Sequence, residues 1–447
     1  MVEIKKQDPV IFQINSNFQF KLSQLRYITF TIVGIGLLWP WNSFLSASAY
    51  YGERFNHTPM LAKVYSSTMM SVSCVTSTIY NYYLSQNQTG VKYRRRVNIG
   101  LSLTIIIFLI MAISCVSDFF IQMNDKGFFI ILMFMVLLSA MATCLAQNGT
   151  MAIVNVLGGI YANAVMVGQA VAGVLPSVAL IISIISVGDK ALQNNQYVDK
   201  NYGLFIYYIT ASIIAIGCLS LLILNHKYKE IAVYSSLTQI TDTNEEILID
   251  EHDLQELDSV QSTYVPFGLL WSKLKLIVMS IFLTFSITLI FPVFASLVES
   301  NNELTGIWYY QKKIFIPFIY LIWNLGDLLG RILCGFPKCK MLITKPKILI
   351  SYSLARLIFI PLFLTCNLHS KDGISSATIQ SDLWYILLQL LFGISNGQLC
   401  TSCFMIVRDY CDTDDEKEAA GGFTSVFLSV GLSAGALFSY LLVWLIN

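Results

Sequence analysis

Asn324, Asp327 and Arg331 interrupt an otherwise apolar run, 315–333, whose middle reads Trp323-Asn-Leu-Gly-Asp-Leu-Leu-Gly-Arg331. Spacings of three, four and seven residues put the amide, the acid and the base on one face of a helix. The chemistry open to such a face is recognition by directed hydrogen bonds: the carboxylate accepts, the guanidinium donates and the amide does both. Catalytic partners are missing. None of the four His lies in an apolar run, and no G-x-S-x-G elbow, Gly-rich phosphate loop or His-acid cluster accompanies the trio. Neither a metal, a cofactor nor an enzymatic activity is expected.

The run that carries the trio is long enough to cross a bilayer, where ionisable groups are costly and face a pathway or a partner. The rest of the chain has the same character. Its 447 residues are 55% hydrophobic and 12% charged, with a mean hydropathy of +0.64. That is more apolar surface than a soluble domain of this size could bury, so an all-α polytopic membrane protein is expected. A net charge of +1 gives no sign of a nucleic-acid partner. Apolar runs predict eleven transmembrane helices, near 27–50, 61–84, 99–117, 128–150, 163–187, 202–224, 274–297, 314–335, 348–366, 383–407 and 420–446. The fourth and fifth are parted only by an uncharged connection at Gly158-Gly159.

Lys and Arg set the orientation. With the N-terminus inside, the cytosolic loops hold Lys92 and Arg94 to Arg96, Lys227 and Lys229, Lys273 and Lys275, four lysines from Lys338 to Lys347, Arg408 and Lys417, whereas the opposite loops are sparsely basic. The N-terminus is therefore expected in the cytosol and the C-terminus outside it. Met1 to Gln24 is polar and lacks the basic end and apolar run of a cleavable signal. The longest interruption, 226–272, is acidic in its middle and is predicted as a flexible cytosolic linker. It divides the chain into a cytosolic segment 1–26, a six-helix bundle 27–225, the linker, and a five-helix bundle 273–447. A 6+5 division is what a two-bundle carrier would show.

Further polar residues sit within the predicted spans. Trp39-Pro40-Trp41-Asn42 places a kink, two aromatics and an amide within one turn of span one, and reads either as an interfacial anchor or as part of a cavity wall. Gln147, deep in span four, needs a partner or a water-lined cavity and reads equally well as an interhelical clasp. The small residues around Gly168-Gln169 and Gly173 in span five, Gly326 and Gly330 in span eight, and Gly431 and Gly435 in span eleven read as close helix packing. For Arg356, in span nine, snorkelling or an interhelical ion pair competes with a role in substrate binding. Cys400-Thr-Ser-Cys403 has redox spacing but falls in span ten and reads as packing.

Together these positions resemble an equilibrative nucleoside transporter, a solute-carrier family on a fold similar to the major facilitator superfamily. The resemblance rests on Pro40-Trp41-Asn42, on Gln147 followed by Gly168-Gln169 and Ala172-Gly173, and on Asn324 with Asp327 and Gly330-Arg331. It continues through Leu354-Ala355-Arg356 with Pro361, Ser395-Asn396-Gly397, and Glu418-Ala-Ala-Gly421 leading to Gly431, Gly435 and Phe438-Ser439. The chain departs from the family with Asn148-Gly149 where many members have Gly-Ser, and with Gly326 where a bulky residue often precedes the acid. The resemblance implies eleven helices, a cytosolic N-terminus and a large cytosolic loop after span six. It also implies that Trp41, Gln147, Asp327 and Arg331 line a central nucleoside site supported by Asn42 and Asn324. Gln169, Gly173, Arg356, Asn396, Gly431 and Gly435 are expected to serve structure and gating.

A nucleoside offers a flat base and a hydroxylated ribose, so a site for it combines an apolar slot with fixed polar groups. In that scheme Trp41 packs on the nucleoside, Gln147 reads base edges, and Asp327 with Arg331 holds ribose hydroxyls. The expected function is facilitated transport of purine and pyrimidine nucleosides by a monomeric carrier whose halves rock about the site. With Arg331 one turn away, Asp327 makes a poor proton carrier. Proton-coupled nucleoside or nucleobase transport and transport of another small solute are the alternatives. Asn56-His-Thr58 is a candidate glycosylation site in an extracytosolic loop, compatible with a plasma or a vacuolar, lysosome-like membrane.

Overall fold

A computed structural model of the chain describes residues 8–15, 18–187, 200–241, 263–302, 307–368 and 377–446. A short antiparallel hairpin, β1 Val10–Asn15 and β2 Phe18–Lys21, leads into an otherwise helical molecule. The helices are α1 Leu22–Ser46, α2 Ser48–Arg54, α3 Pro59–Gln86, α4 Tyr93–Ser114, α5 Asp118–Ile121, α6 Asp125–Leu157, α7 Gly159–Val187 and α8 Tyr202–Thr241. After the linker come α9 Phe267–Thr288, α10 Ile290–Leu297, α11 Lys312–Gly335, α12 Pro346–Ala355, α13 Phe359–Phe363, α14 Asp382–Ile406 and α15 Asp414–Ile446.

Among the described residues, ten stretches are long and apolar enough to cross a membrane: α1, α4, α6, α7, α8, α9 with α10, α11, α12 with α13, α14 and α15. The molecule is thus an all-α polytopic membrane protein. The second expected span falls on α3, a 28-residue helix so rich in Ser and Thr that it stands outside the ten. The expected linker narrows at both ends. Helix α8 continues to Thr241, with Ile231, Tyr234, Leu237 and Ile240 recurring at helical spacing, and α9 starts at Phe267. Residues 226–241 and 267–272 are therefore helical, while the acidic middle, 242–262, lies outside the described residues.

Breaks between helices have local causes. Gly158 parts α6 from α7 at φ 147°, a left-handed backbone that a side chain would strain. Pro292 cannot donate to Thr288 and its ring crowds that carbonyl, so the chain breaks at Leu289 between α9 and α10. Pro361 does the same to Leu357, within the 3-10 turn Arg356–Ile358 that separates α12 from α13.

The helices before the linker pack among themselves as α1 with α7 and α8, and α4 with α6 and α8, and those after it as α11 with α14 and α9 with α15. The two sets meet where α7 lies on α11 and α14, and where α3 and α6 lie on α15. Three hydrophobic cores result. One is shared by both sets and lies toward the basic ends of the helices, around Val97, Met151, Val165, Leu274, Leu399 and Phe404. A second, around Phe44, Phe55, Phe108 and Tyr208, belongs only to the first set. The third, around Phe291, Phe294, Phe363 and Phe392, belongs only to the second.

Polar ties close the shared end. The Val265 amide donates to Gln88 Oε1 (2.8 Å), Gln88 Nε2 returns a bond to Val265 O (3.2 Å), and Asn155 Nδ2 donates to Lys417 O (3.1 Å). A hydrogen bond in such an apolar setting fixes helix position more than it adds net stability.

Candidate substrate site

Helix α11 presents the acid and the base as a closed pair. Arg331 Nε donates to Asp327 Oδ2 at 2.9 Å, as residues four apart on one face should, and the two are 6% and 3% exposed. The carboxylate's other oxygen, Oδ1, accepts from Asn396 Nδ2 of α14 at 2.7 Å. Thr288, the last residue of α9 before its break, donates to Asn396 Oδ1 and thereby fixes which end of that amide faces the acid. Arg331 Nη1 reaches out of its own set of helices to Met166 O of α7, at 2.9 Å.

The closeness of α11 and α14 that allows the Asn396 bond comes from four glycines. A Cβ on Gly397 would lie 2.0 Å from Asp327 O, and one on Gly330 would lie 2.4 Å from Ile394 O; Gly326 and Gly393 interleave between them. Backbones touch where side chains would hold them apart. The departure at Gly326 thus has a structural role, since a Cβ there would meet Leu390 O at 2.5 Å.

One turn earlier on α11, Asn324 Nδ2 donates to Ser177 Oγ of α7 (3.1 Å) and to Tyr320 O (2.8 Å). Gly173 lies beneath its oxygen, with room for no Cβ: that atom would be 2.7 Å from Asn324 Oδ1. Asn42 of α1 donates to Ala172 O, on the same turn of α7, at 2.7 Å. Asn42, Gly173 and Asn324 are therefore gathered on α7 from both sides.

Trp41, Gln147 and Gln169 stand outside this bonded network. No described residue hydrogen-bonds to the Trp41 indole N–H or to either amide. Trp41 packs half-buried on the first set's own core, and Gln147 is half-buried on α6. Gly431 and Gly435 bring α15 onto α9, where Cβ atoms would come within 2.8 Å of Phe282 O and 2.6 Å of Ser286 O. Asn56 is exposed in the turn between α2 and α3. The cysteines Cys400 and Cys403 are free and buried.

Arg356, which the sequence left open between snorkelling, an interhelical ion pair and a substrate role, is buried and pairs with no acid among the described residues. It is 1% exposed; Nε donates to Ser395 Oγ and Nη1 to Thr284 O, each at 3.1 Å, and the guanidinium lies over Phe392, 4.6 Å from the ring centroid. Arg356 opens the 3-10 turn between α12 and α13, and its side chain lies against α9 and α14. Thr284 and Thr288 join these networks without notice from the sequence, whereas Ser395 stood beside Asn396 in the family pattern. Asn163 joins too, its Nδ2 donating to Arg331 O, and carried a readable signal as an amide inside the apolar run of α7.

A buried acid-base pair braced by an amide, on a helix face that abuts a second set of spans, suits recognition of a neutral polar solute. Known proteins agree. The family model described as Nucleoside transporter matches residues 132–444. Nucleoside transporter FUN26 of Saccharomyces cerevisiae is 38% identical over 96% of this chain and 86% of that protein. Equilibrative nucleoside transporter 1 of Homo sapiens is 25% identical over 93% and 96%. Equilibrative nucleotide transporter 1 of Arabidopsis thaliana is 26% identical over 93% and 85%. With seven-tenths of its length matched by the family model and near-complete coverage by relatives, the chain belongs to the nucleoside transporter family.

Proposed function

We propose that the chain carries purine and pyrimidine nucleosides passively across its membrane, as a monomer, exposing one central site alternately to either side. The division of the cores is what supports alternating access most directly. The two sets of helices share a core at the basic end and keep separate cores at the other, as a carrier closed on one side and able to part on the other would. Helix α3 serves as the eleventh span: at 28 residues it is about 42 Å long, it packs on α6 and α15, and it is tied to α15 by the Thr78 Oγ1–Ser433 Oγ hydrogen bond (3.0 Å) and by Asn81 Nδ2, which donates to Ser429 Oγ at 2.6 Å. Six spans then precede the linker and five follow, with the basic end cytosolic in a plasma or vacuolar membrane.

Within the site, Trp41 and Gln147, whose side chains hydrogen-bond to no described residue, offer a stacking face and an amide for the base. Asp327, held in place by Arg331 and Asn396, offers remaining lone pairs to ribose hydroxyls. Both carboxylate oxygens already accept a hydrogen bond, which holds the acceptor in one orientation.

Purified protein in liposomes should take up labelled uridine and adenosine until inside and outside concentrations match, with or without a pH gradient. Accumulation beyond that level only under an imposed gradient would overturn the passive mechanism, and absence of nucleoside flux would overturn the substrate. The orientation has its own check. Produced in a eukaryotic cell, the protein should lose apparent mass on endoglycosidase treatment, and Asn56→Gln should abolish that shift; an unglycosylated Asn56 would remove this support for an extracytosolic turn.

A further inference from the structure

Asn163 of α7 is fully buried and uses one end of its amide within the first set of helices and the other across the seam to the second. Its Oδ1 accepts from Tyr27 Oη of α1 at 3.1 Å, and its Nδ2 donates to Arg331 O at 2.7 Å. Gly335, one turn on from Arg331, leaves the space the amide fills: a Cβ there would lie 2.3 Å from Asn163 Oδ1 and 2.9 Å from its Cγ. Arg331 is thus gripped twice by α7, through its backbone carbonyl by Asn163 and through its side chain by Met166 O.

From this geometry we infer that Asn163 is a positioning residue that couples the Asp327–Arg331 pair to closure of the basic end. While the amide holds Arg331 O, α11 is fixed against α7, Arg331 Nη1 reaches Met166 O, and the guanidinium is aimed to present Asp327 in one orientation. Opening the basic end must break the Asn163–Arg331 and Met166–Arg331 bonds together, because both join α7 to Arg331 of α11, while Tyr27 of α1 holds the Asn163 amide in the orientation that reaches Arg331 O. Exchange between the two exposures of the site is therefore gated by a residue that does not itself meet the substrate. This rests on the alternating-access reading proposed above.

Native thiols supply the test. Cys400 of α14 is 1% exposed, with its Sγ 3.7 Å from Met166 Sδ, so parting of the seam uncovers it. Cys339 is exposed in the turn after α11 and marks the basic face; Cys115 is 1% exposed within the first set's own core and reports general loosening. Full-length protein in liposomes is treated from the basic face with a membrane-impermeant maleimide, and labelling of each cysteine is followed by peptide mass spectrometry. Losing the hydrogen bond across the seam from the closed state should raise the Cys400 labelling rate about tenfold in Asn163→Ala, with Cys115 unchanged.

Gly335→Ala should do the same, since its methyl displaces the amide. The Asn163→Ala/Gly335→Ala double variant refills the vacated space without restoring either bond, and its Cys400 rate should stay raised. Tyr27→Phe, which removes a single hydroxyl, should give a smaller rise in the same direction and serves if a small-residue variant fails to fold. A double variant that returns to the wild-type rate would show packing alone and overturn the inference, as would an unchanged Cys400 rate in Asn163→Ala or a parallel rise at Cys115. Nucleoside flux measured on the same wild-type liposomes tests the carrier reading separately: its absence would sink that reading whatever the labelling shows.

Discussion

Arg331→Ala is expected to abolish measurable nucleoside flux and to destabilise the solubilised protein by ~3–5 kcal/mol, the usual cost of removing one partner from a buried pair. The variant leaves Asp327, 3% exposed, with Asn396 as its remaining donor, and unties α11 from Met166 O. An apolar double variant, Asp327→Leu with Arg331→Met, separates the two consequences. It removes the uncompensated charge and should recover most of the lost stability, because well-packed apolar residues often match or exceed a buried pair. Flux should not return, since no acceptor or guanidinium is left to hold a hydroxylated solute. Thermal unfolding in detergent and liposome uptake give the two readouts. A single variant with wild-type flux and affinity would remove the pair from the pathway, and a double variant that transports would reduce it to scaffolding.

The membrane architecture was legible because a bilayer enforces a length: each expected apolar run falls on a helix or, for α9 with α10 and α12 with α13, on a broken pair, although several ends shift by six or seven residues and α8 runs well past its own. Gly158, flagged as the only division between two spans, is where the chain takes its left-handed turn. Hydropathy was least informative for α3, where Thr68, Ser71 and Ser85 hydroxyls bond carbonyls of their own helix and Thr78 bonds Ser433 of α15. It also missed the ends of the linker, because a helix can run beyond a bilayer on an amphipathic pattern that no apolar run announces.

In the site, spacing alone put Asp327 and Arg331 on one face, and the i,i+4 bond bears this out. What spacing could not reveal is which helix would lie opposite. Asn396 meets Asp327 only because two pairs of glycines align across α11 and α14, and Thr288 reaches Asn396 only because Pro292 ends the helix just beyond it. Threonines are common in membrane helices and usually bond their own backbone, so Thr288 carried no signal by itself. Arg356 was left open between readings for the same reason: whether a basic side chain rises to the interface or turns inward depends on a local 3-10 turn and on what packs over it.

That alignment of glycines sets up the second large effect. Gly397→Val places a branched side chain where even a Cβ would be 2.0 Å from Asp327 O and 2.9 Å from its carbonyl carbon. Both obstacles are backbone of a regular helix, so neither can swing aside, and α11 and α14 must separate. Overpacking of this kind costs about 1–3 kcal/mol and sometimes more. Separation by even 1 Å would stretch the 2.7 Å Asn396–Asp327 bond beyond useful length, so flux should fall by at least tenfold in whatever protein folds. Gly217→Ala is the matched control. A Cβ at Gly217 meets nothing within 4 Å, and alanine favours a helix over glycine by about 1 kcal/mol, so that variant should be as stable as the native chain or more so and keep its transport. Equal transport by the Gly397 and Gly217 variants would mean that the contact between α11 and α14 does not position the acid, and that Asp327 is held by its own helix alone.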